Sequence, residues 1–394
     1  MDTETGTQAP HLSLVVGGPF HTLLTRLGLT AADRLPTPRA AIGLALLAWA
    51  IPALFAIAQA VIDGRASAWG YFTDASVYAR YLIAIWAMIA TERYADRGFT
   101  MLMQQFHERR IIPDDSLPAF ERAFARADRR TSAWRAELLI LVVAVAWSAI
   151  TTLYAVEYAG LNWLGADVAG MPVLSWAGEA VRFWSNPIFL FLALRWFWRF
   201  YVWTALLYRI SRLPLQLQPM HADRAAGLGF LAIYPSVFSG LVFALSCVIT
   251  SGFLRELEIG HHSLNTVWLA LAVWLAIVLI LFVGPLFVFV PTLYAARQQA
   301  FIDYGRLANQ HHLAFHRKWI EGAKNGEDLM GSSDLTAAAN LNASVQAARN
   351  MHLVPVDYPA IAQLVIAAGI PLLPVILKEV PLVDIVKWLF GKIL

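Results

Sequence analysis

The chain has 394 residues, of which 58% are hydrophobic and only 14% charged, and its mean hydropathy is +0.56. Soluble domains contain about a quarter charged residues, so this composition excludes an ordinary water-soluble protein and favours a membrane protein. The net charge of +3 and the pI near 9.0 do not indicate a nucleic-acid partner, because the Lys and Arg residues are confined to particular loops, a pattern that reports membrane topology.

Six apolar segments are long enough, or nearly so, to cross a hydrocarbon core of roughly 30 Å, which takes about 20 helical residues. They lie at residues 40–62, 75–92, 137–157, 184–207, 228–253 and 265–292. The sequence therefore predicts an all-α, polytopic membrane helix bundle with about six transmembrane helices. Residues 1–38 begin with acidic residues and lack the basic region of a signal peptide, so we expect them to form a cytoplasmic N-terminal segment.

Basic residues predict which loops face the cytoplasm. They are concentrated between the second and third segments, between the fourth and fifth, and after the sixth, whereas the alternate connections carry only Arg65, Arg182 and Arg255. Because Lys and Arg accumulate in cytoplasmic loops, we expect both termini of this multi-pass protein in the cytoplasm.

Two cytoplasmic regions are predicted beside the transmembrane bundle at 39–296. Residues 93–135 are expected to form a helical hairpin, because large apolar residues recur at helical spacing on both sides of a turn bracketed by Pro113 and Pro118. Residues 297–394 are expected to form a helical region, with an extension of the sixth span over 296–320 and a further helix near 334–351.

The C-terminal tail, residues 360–394, is harder to place. Its apolar stretch at 360–377 is interrupted by Pro371 and Pro374, and a seventh crossing would put the lysines that follow on the outer side. We therefore expect a broken, re-entrant or interfacial segment, followed by an amphipathic helix on the inner membrane surface.

The fourth apolar segment carries the main candidate site. Arg195 and Arg199 are four residues apart and share one helix face, and Arg80 in the second segment adds another cation. No acidic residue lies deep in any of the six segments, so the sequence suggests no counter-ion. Unneutralised intramembrane arginines predict an anion path or anion-binding site. Alternatively, the aromatic residues around them mark the interface, and both arginines reach the inner phosphates.

A second candidate site precedes the fifth segment and contains His221, Asp223, Gly227 and Gly229. Asp223 is a suitable N-cap, and free amides beyond it could hold an anion at the helix N-terminus. His221 beside Asp223 could also act as a general base or metal ligand. The alternative is that capping and close packing by glycine alone explain these residues.

Other features give weaker signals. Pro235, Gly284 and Pro285 predict kinks that could serve as hinges, with simple packing geometry as the alternative. His312 and His316 are one turn apart, the spacing of a shared metal, but no Cys or acid at a fixed spacing supports them. We therefore expect no metal and no cofactor. Nucleotide-binding loops and the familiar hydrolase motifs are absent from the sequence.

Three stretches resemble a family of bacterial multi-pass membrane proteins: HADRAAGLGF from His221 to Phe230, the segment that begins KWIEGAKNGEDLMGSSDL, and IPLLPVILKEVP. In that family a His-Pro-Asp-x-x-Gly-Gly-Leu motif precedes a span, and here Ala222 and Ala226 replace the Pro and the first Gly. The resemblance covers roughly the C-terminal half of the chain. It implies a location in the bacterial inner membrane and no particular activity.

Three function classes follow from these features. The intramembrane arginines favour a channel or passive transporter for an anion, whereas the basic hairpin and helical tail favour a scaffold, sensor or partner subunit. A membrane enzyme acting on a lipid phosphate, using Arg195, Arg199, His221 and Asp223, is the least favoured. The expected partners are membrane lipids, a small anion and a second copy of the chain in a homo-oligomer, and not nucleic acid.

Overall fold

The computed structural model describes residues 18–26, 28, 30, 35–64, 66–158, 163–168, 171–259, 264–321 and 333–375. This part of the chain is almost entirely helical. Its α-helices are α1 (Gly18–Arg26), α2 (Pro38–Ile62), α3 (Gly70–Thr73), α4 (Ala75–Val77), α5 (Ile85–Glu108), α6 (Leu117–Thr131), α7 (Trp134–Tyr158), α8 (Trp176–Ala180), α9 (Asn186–Ile210), α10 (Ser239–Ile259), α11 (Leu264–Val283), α12 (Val290–Phe315), α13 (Ser333–Arg349) and α14 (Tyr358–Gly369). The antiparallel strands β1 (Gly165–Val168) and β2 (Met171–Leu174) form a short hairpin. The predicted all-α class is confirmed.

Five helical regions of the described chain are long and apolar enough to cross a membrane: Pro38–Ile62, Trp134–Val156, Gly229–Arg255, Trp268–Glu321 and Tyr358–Val375. The first four coincide with predicted spans. The predicted spans at 75–92 and 184–207 are helical too, but their charged residues and many Trp and Tyr rings lower their hydropathy. The outer surface of these helices is apolar: Leu139, Ile150 and Ile280 lie largely exposed on it. Such a surface is suited to contact with lipid and not with water.

Small residues let the helices approach one another closely. The buried face of α2 is formed largely by alanines, among them Ala41, Ala45, Ala48 and Ala56. Small residues at such interfaces allow close packing of helices in a membrane, where burial from water supplies no driving force. The interior of the bundle behind this face is rich in aromatic rings, with Trp203 stacked on Phe99 at a centroid separation of 3.6 Å.

The predicted helix–turn–helix at 93–135 is present as α5 and α6, joined by a turn that contains Pro113. α6 packs mainly against α9, and the Trp198 Nε1 donates a hydrogen bond to the Arg130 carbonyl oxygen at 3.1 Å. The predicted helix near 334–351 corresponds to α13, and the extension of the sixth span corresponds to α12 with a π-helical continuation at His316–Glu321.

The predicted kinks take the form of short 3-10 segments. Pro235–Phe238 precedes α10, and Gly284–Phe289 joins α11 to α12. Proline lacks the N–H that the α-helical ladder needs, so a change of helix type at these positions is expected. Whether Pro235, Gly284 and Pro285 act as hinges stays a prediction.

The apolar part of the tail packs against the bundle. α14 lies beside α10 along the length of that helix: Gln363 bonds Ser239 near one end, and Val375 packs in an apolar cluster with Leu257 and Leu271 near the other. Pro371 sits in a 3-10 turn, Ile370–Leu372, after which the helix continues to Val375. The 3-10 turn at Pro371 interrupts the α-helix of the segment 360–377, and whether this segment crosses the membrane, re-enters or lies along it stays a prediction. The predicted surface helix over the last residues lies outside the described ranges.

Candidate functional site

Four charged side chains, Glu92, Glu137, Arg195 and Arg199, form one buried cluster. The Arg195 Nη1 donates to Glu92 Oε1 at 2.7 Å, and its Nε donates to Glu137 Oε1 at 3.1 Å. The Arg199 Nη1 donates to the same Glu92 oxygen at 2.8 Å. None of the four residues is more than 4% exposed. Two guanidinium groups thus face two carboxylates, and the formal charge of the cluster is balanced.

Three helices supply the cluster. Glu92 lies in α5, Glu137 in the first turn of α7, and both arginines lie in α9. Arg195 and Arg199 are one turn apart, so their head groups project from the same face and both reach Glu92. A buried charge costs far less when it is paired and hydrogen-bonded, so these contacts explain how the arginines are tolerated inside the bundle.

Helix α1 covers the cluster. The Phe20 backbone N–H donates to Glu137 Oε2 at 2.8 Å, and the Phe20 ring centroid lies 4.9 Å from Arg195 Cζ. Glu137 therefore places a negative charge at the N-terminus of α1, where the helix dipole is positive. A cavity of about 530 Å³ borders α1 near Gly18, Thr22 and Ser132, but none of the four charged residues lines it. The cluster is enclosed by protein.

The expectation that Arg195 and Arg199 lack counter-ions is wrong. Glu92 and Glu137 end and begin two predicted spans on the same side of the membrane, and Arg199 lies near that same end of its own span. Comparing the predicted membrane depths of the glutamates and the arginines was the sequence signal that could have identified them as ion-pair partners. Both arginines are buried in protein, and an anion-binding role for them stays a prediction that requires displacement of the carboxylates.

Arg80 is not part of this cluster. It lies in the π-helical segment Tyr78–Ala84, and its guanidinium carbon is 5.8 Å from the ring of Phe189, six residues before Arg195 in α9. Its buried Nε has no hydrogen-bond partner in the described chain. The three cations predicted to line one path therefore do not converge.

Asp223 organises the connection before α10. Its Oδ1 accepts the backbone N–H groups of Ala225 at 2.9 Å and Gly227 at 3.1 Å, and its Oδ2 accepts that of Gly229 at 2.9 Å. The Arg109 Nη1 lies 3.6 Å from Oδ2. The amides that could have bound an anion are therefore occupied by Asp223 itself, and the capping interpretation accounts for the geometry.

Glycine is required at two positions of this turn. Gly227 has a φ of +94°, and a Cβ on Gly229 would lie 2.7 Å from the Cβ of Asp223. Burial raises the pKa of the Asp223 carboxyl, but the N–H groups of Ala225, Gly229 and Gly227, together with His221, lower it more. The pKa of Asp223 therefore lies below its ordinary value. The His221 Nδ1 is 3.0 Å from Asp223 Oδ1, so the pair is local to this turn.

His312 lies in α12 and His316 in the π-helical segment that continues it, and both positions are exposed. The His316 Nε2 is 3.7 Å from Glu321 Oε1. Within the described ranges, no group of three or more His, Cys, Asp or Glu side chains is placed to hold a metal ion. The two histidines thus have no further ligands in that part of the chain.

The cluster and the Asp223 turn are two places in the described chain where several charged or polar groups converge with defined geometry. Both join elements that are distant in sequence, and both have their hydrogen bonds within the protein. Comparison of the chain with models of protein families, with curated proteins and with solved structures finds no match.

Proposed function

We propose that this multi-pass protein is a membrane scaffold or partner subunit, in the bacterial inner membrane, and not an anion channel. The observation that carries the proposal is the pairing of Arg195 and Arg199 with Glu92 and Glu137. An anion entering this site would meet carboxylates as well as guanidinium groups, so the net attraction expected from free arginines is lost.

The geometry gives the enzyme alternative little support. An enzyme acting on a lipid phosphate would need the arginines, His221 and Asp223 in one pocket. Asp223 is instead engaged with three backbone amides and Arg109, and the arginines are engaged with Glu92 and Glu137 in a separate cluster.

A projecting helical hairpin supplies the surface for assembly. The helical region Trp268–Glu321 has 54 residues and includes the 3-10 segment Gly284–Phe289; at about 1.5 Å per residue its length along the helix axis is roughly 80 Å, more than twice the thickness of the hydrocarbon core. α13 packs back along α12: the Lys318 Nζ is 2.9 Å from Asp334 Oδ2, and Arg349 Cζ is 5.3 Å from the Phe301 ring. By the basic-residue rule, this hairpin lies in the cytoplasm.

One side of the hairpin carries apolar side chains that are half exposed or more in the described chain. Ile302, Leu313 and Ile320 are 50%, 51% and 61% exposed. Ile302 and Leu313 are 11 residues apart in α12, a spacing that returns to nearly the same side of an α-helix, and Ile320 follows in the π-helical segment His316–Glu321. An isologous dimer brings the same surface of two copies together about a two-fold axis, and we propose that this apolar seam meets the same seam on a second copy of this chain.

Purified protein in liposomes is expected to release chloride no faster than protein-free liposomes, because the arginines are neutralised. A known chloride channel in matched liposomes checks the assay. The proposal fails if the wild-type protein releases chloride well above background, Arg195→Gln removes that release, and Glu179→Gln, at an exposed carboxylate, leaves it intact. That result would restore the anion path.

Assembly is tested by Leu313→Cys, since the native Cys247 is buried. Mild oxidation in membranes is expected to give several-fold more disulfide-linked dimer for Leu313→Cys than for Ala314→Cys, whose exposed side chain lies on a neighbouring face. The introduced thiol should also resist an impermeant reagent in intact cells. Equal dimer yields from the two variants would contradict the seam, and labelling from outside would contradict the topology.

A further inference from the structure

A long crevice runs along the side of the bundle. It is lined by α5, by α10 with the 3-10 segments that precede it, and by α14. It consists of two adjoining cavities of about 480 and 310 Å³ that share Gln363. Along α5 the crevice extends from Met101 to Trp86, roughly 22 Å at the rise of an α-helix. That length is close to one leaflet of a bilayer, whose two leaflets with headgroups measure about 40–45 Å.

The floor of the crevice is closed by two glycine contacts. A Cβ on Gly98 would lie 2.7 Å from the Val237 Cγ2, and a Cβ on Gly240 would overlap the Thr91 side chain. α5 and the chain of α10 therefore touch directly beneath the crevice. Tyr94, Trp86 and Ile366, which line the crevice, are 45%, 41% and 56% exposed, so the crevice is open at the surface of the bundle.

The two ends of the crevice differ in chemistry. Arg97 and Asp357 line one end; both are exposed, and no ion pair joins them in the described structure. Tyr358, at the start of α14, is almost fully exposed beside them, as expected of an aromatic side chain at headgroup level. Trp86, Phe243 and Ile366 line the opposite end and are apolar.

Hydrogen-bonding groups lie between the two ends. The Gln363 Nε2 donates to Ser239 Oγ at 3.1 Å and reaches the Tyr94 hydroxyl at 3.5 Å, and that hydroxyl lies 3.4 Å from Ser236 Oγ. Along its length the crevice therefore presents first the charged residues Arg97 and Asp357, then neutral hydrogen-bonding groups, and then apolar side chains. A phospholipid has the same order of groups from headgroup through glycerol esters to acyl chain.

We propose that this crevice binds one phospholipid whose headgroup carries a primary amine, of the phosphatidylethanolamine class. Arg97 binds the phosphate, and Asp357 accepts hydrogen bonds from the ammonium group. The polar groups at Tyr94 and Gln363 face the glycerol region, and an acyl chain lies along Ala90, Phe243 and Ile366. Two opposite charges at the mouth favour a zwitterionic headgroup over an anionic one, because Asp357 repels a second negative charge.

The test is a titration of delipidated protein in detergent with phosphatidylethanolamine, phosphatidylcholine and phosphatidylglycerol, followed by native mass spectrometry. Wild-type protein is expected to bind one phosphatidylethanolamine about tenfold more tightly than either other lipid, since the choline headgroup has no N–H donor and the glycerol headgroup no cation. Equal affinity for all three lipids would overturn the headgroup assignment.

Filling the crevice tests the position of the acyl chain. Ala90→Trp on one wall and Ala367→Phe on the other are expected to weaken phosphatidylethanolamine binding at least tenfold, whereas Ala146→Trp, on the exposed face of α7, should have no effect. Thermal midpoints establish that each variant is folded. A folded filling variant that keeps wild-type affinity would overturn the site.

Charge variants separate the two headgroup contacts. Arg97→Gln is expected to weaken the binding of all three lipids about tenfold, as the loss of a charge-assisted hydrogen bond does, while Arg129→Gln, at an exposed position of α6, leaves their binding unchanged. Asp357→Asn should equalise phosphatidylethanolamine and phosphatidylglycerol. Unchanged selectivity in Asp357→Asn would assign the preference to another group and overturn the proposed contact. These outcomes do not depend on whether the protein is a scaffold.

Discussion

Glu92→Gln is expected to lower the free energy of unfolding by about 3–5 kcal/mol, as removal of one partner from a buried ion pair does. Glu92 Oε1 is shared by Arg195 at 2.7 Å and Arg199 at 2.8 Å, so its loss leaves two buried guanidinium groups facing the single carboxylate of Glu137. Denaturant or detergent-titrated unfolding, followed by circular dichroism or Trp fluorescence, measures the change.

Glu179→Gln is the matched control. Glu179 pairs with Arg182 at 3.8 Å, but its side chain is 48% exposed, and an exposed ion pair contributes roughly 0–1 kcal/mol. The double variant Glu92→Gln with Arg199→Gln should lose less than the sum of the two single losses, because the residues share one network. Similar effects of Glu92→Gln and Glu179→Gln would show that the cluster is not the stabilising feature described above.

Asp223→Ala is expected to lower the free energy of unfolding by about 1.5–3 kcal/mol, the range for hydrogen bonds to a charged group. The substitution leaves the N–H groups of Ala225, Gly227 and Gly229 without their acceptor. It also removes the ion pair of Asp223 with Arg109, whose Nη1 still donates to the Gly227 carbonyl oxygen at 3.3 Å. Asp115→Ala, at an exposed carboxylate in the turn before α6, should change stability by less than about 0.5 kcal/mol.

The same carboxylate makes stability depend on pH. The pKa of Asp223 in the folded chain lies below its ordinary value, and the unfolded value is about 3.9. Its contribution is therefore complete above the unfolded pKa and is lost as the pH falls through the folded pKa. Asp223→Asn should flatten this acid limb of the stability profile. If the free energy of unfolding of the variant still falls as steeply at acid pH, other carboxyl groups cause the pH dependence.

The cluster and the crevice lie on different faces of one helix. Glu92 points into the bundle from α5, while Ala90, Tyr94 and Arg97 of the same helix line the crevice. A variant that weakens lipid binding through Arg97 should therefore leave the Glu92 contacts intact. This separation allows the stability experiments and the lipid titrations to be interpreted independently.

The helical class and most helix positions follow from the sequence by itself. Spans 40–62, 137–157, 228–253 and 265–292 correspond to described helices that are long and apolar enough to cross a membrane, and the turn at Pro113 and the helix near 334–351 are also present. The reason is physical: a chain in lipid must satisfy its backbone hydrogen bonds within each segment. Length, hydropathy and proline therefore act locally and can be seen in the sequence.

The pairing of charges was decided by the tertiary structure. Glu92 and Arg195 are far apart in the chain, and only the packing of α5, α7 and α9 brings both glutamates to the arginines. The capping role of Asp223 followed from its residue type, but the identity of its three amides depends on the positive φ of Arg224, Ala226 and Gly227.

The path of α14 beside α10, and with it the crevice, also depends on contacts between segments that lie far apart in the chain. The sequence indicates the effect of the prolines on this segment, but it does not indicate which helix the segment packs against. Interactions of this kind are set by the shapes and charges of several helices at once, and for that reason the sequence of any one segment does not determine them.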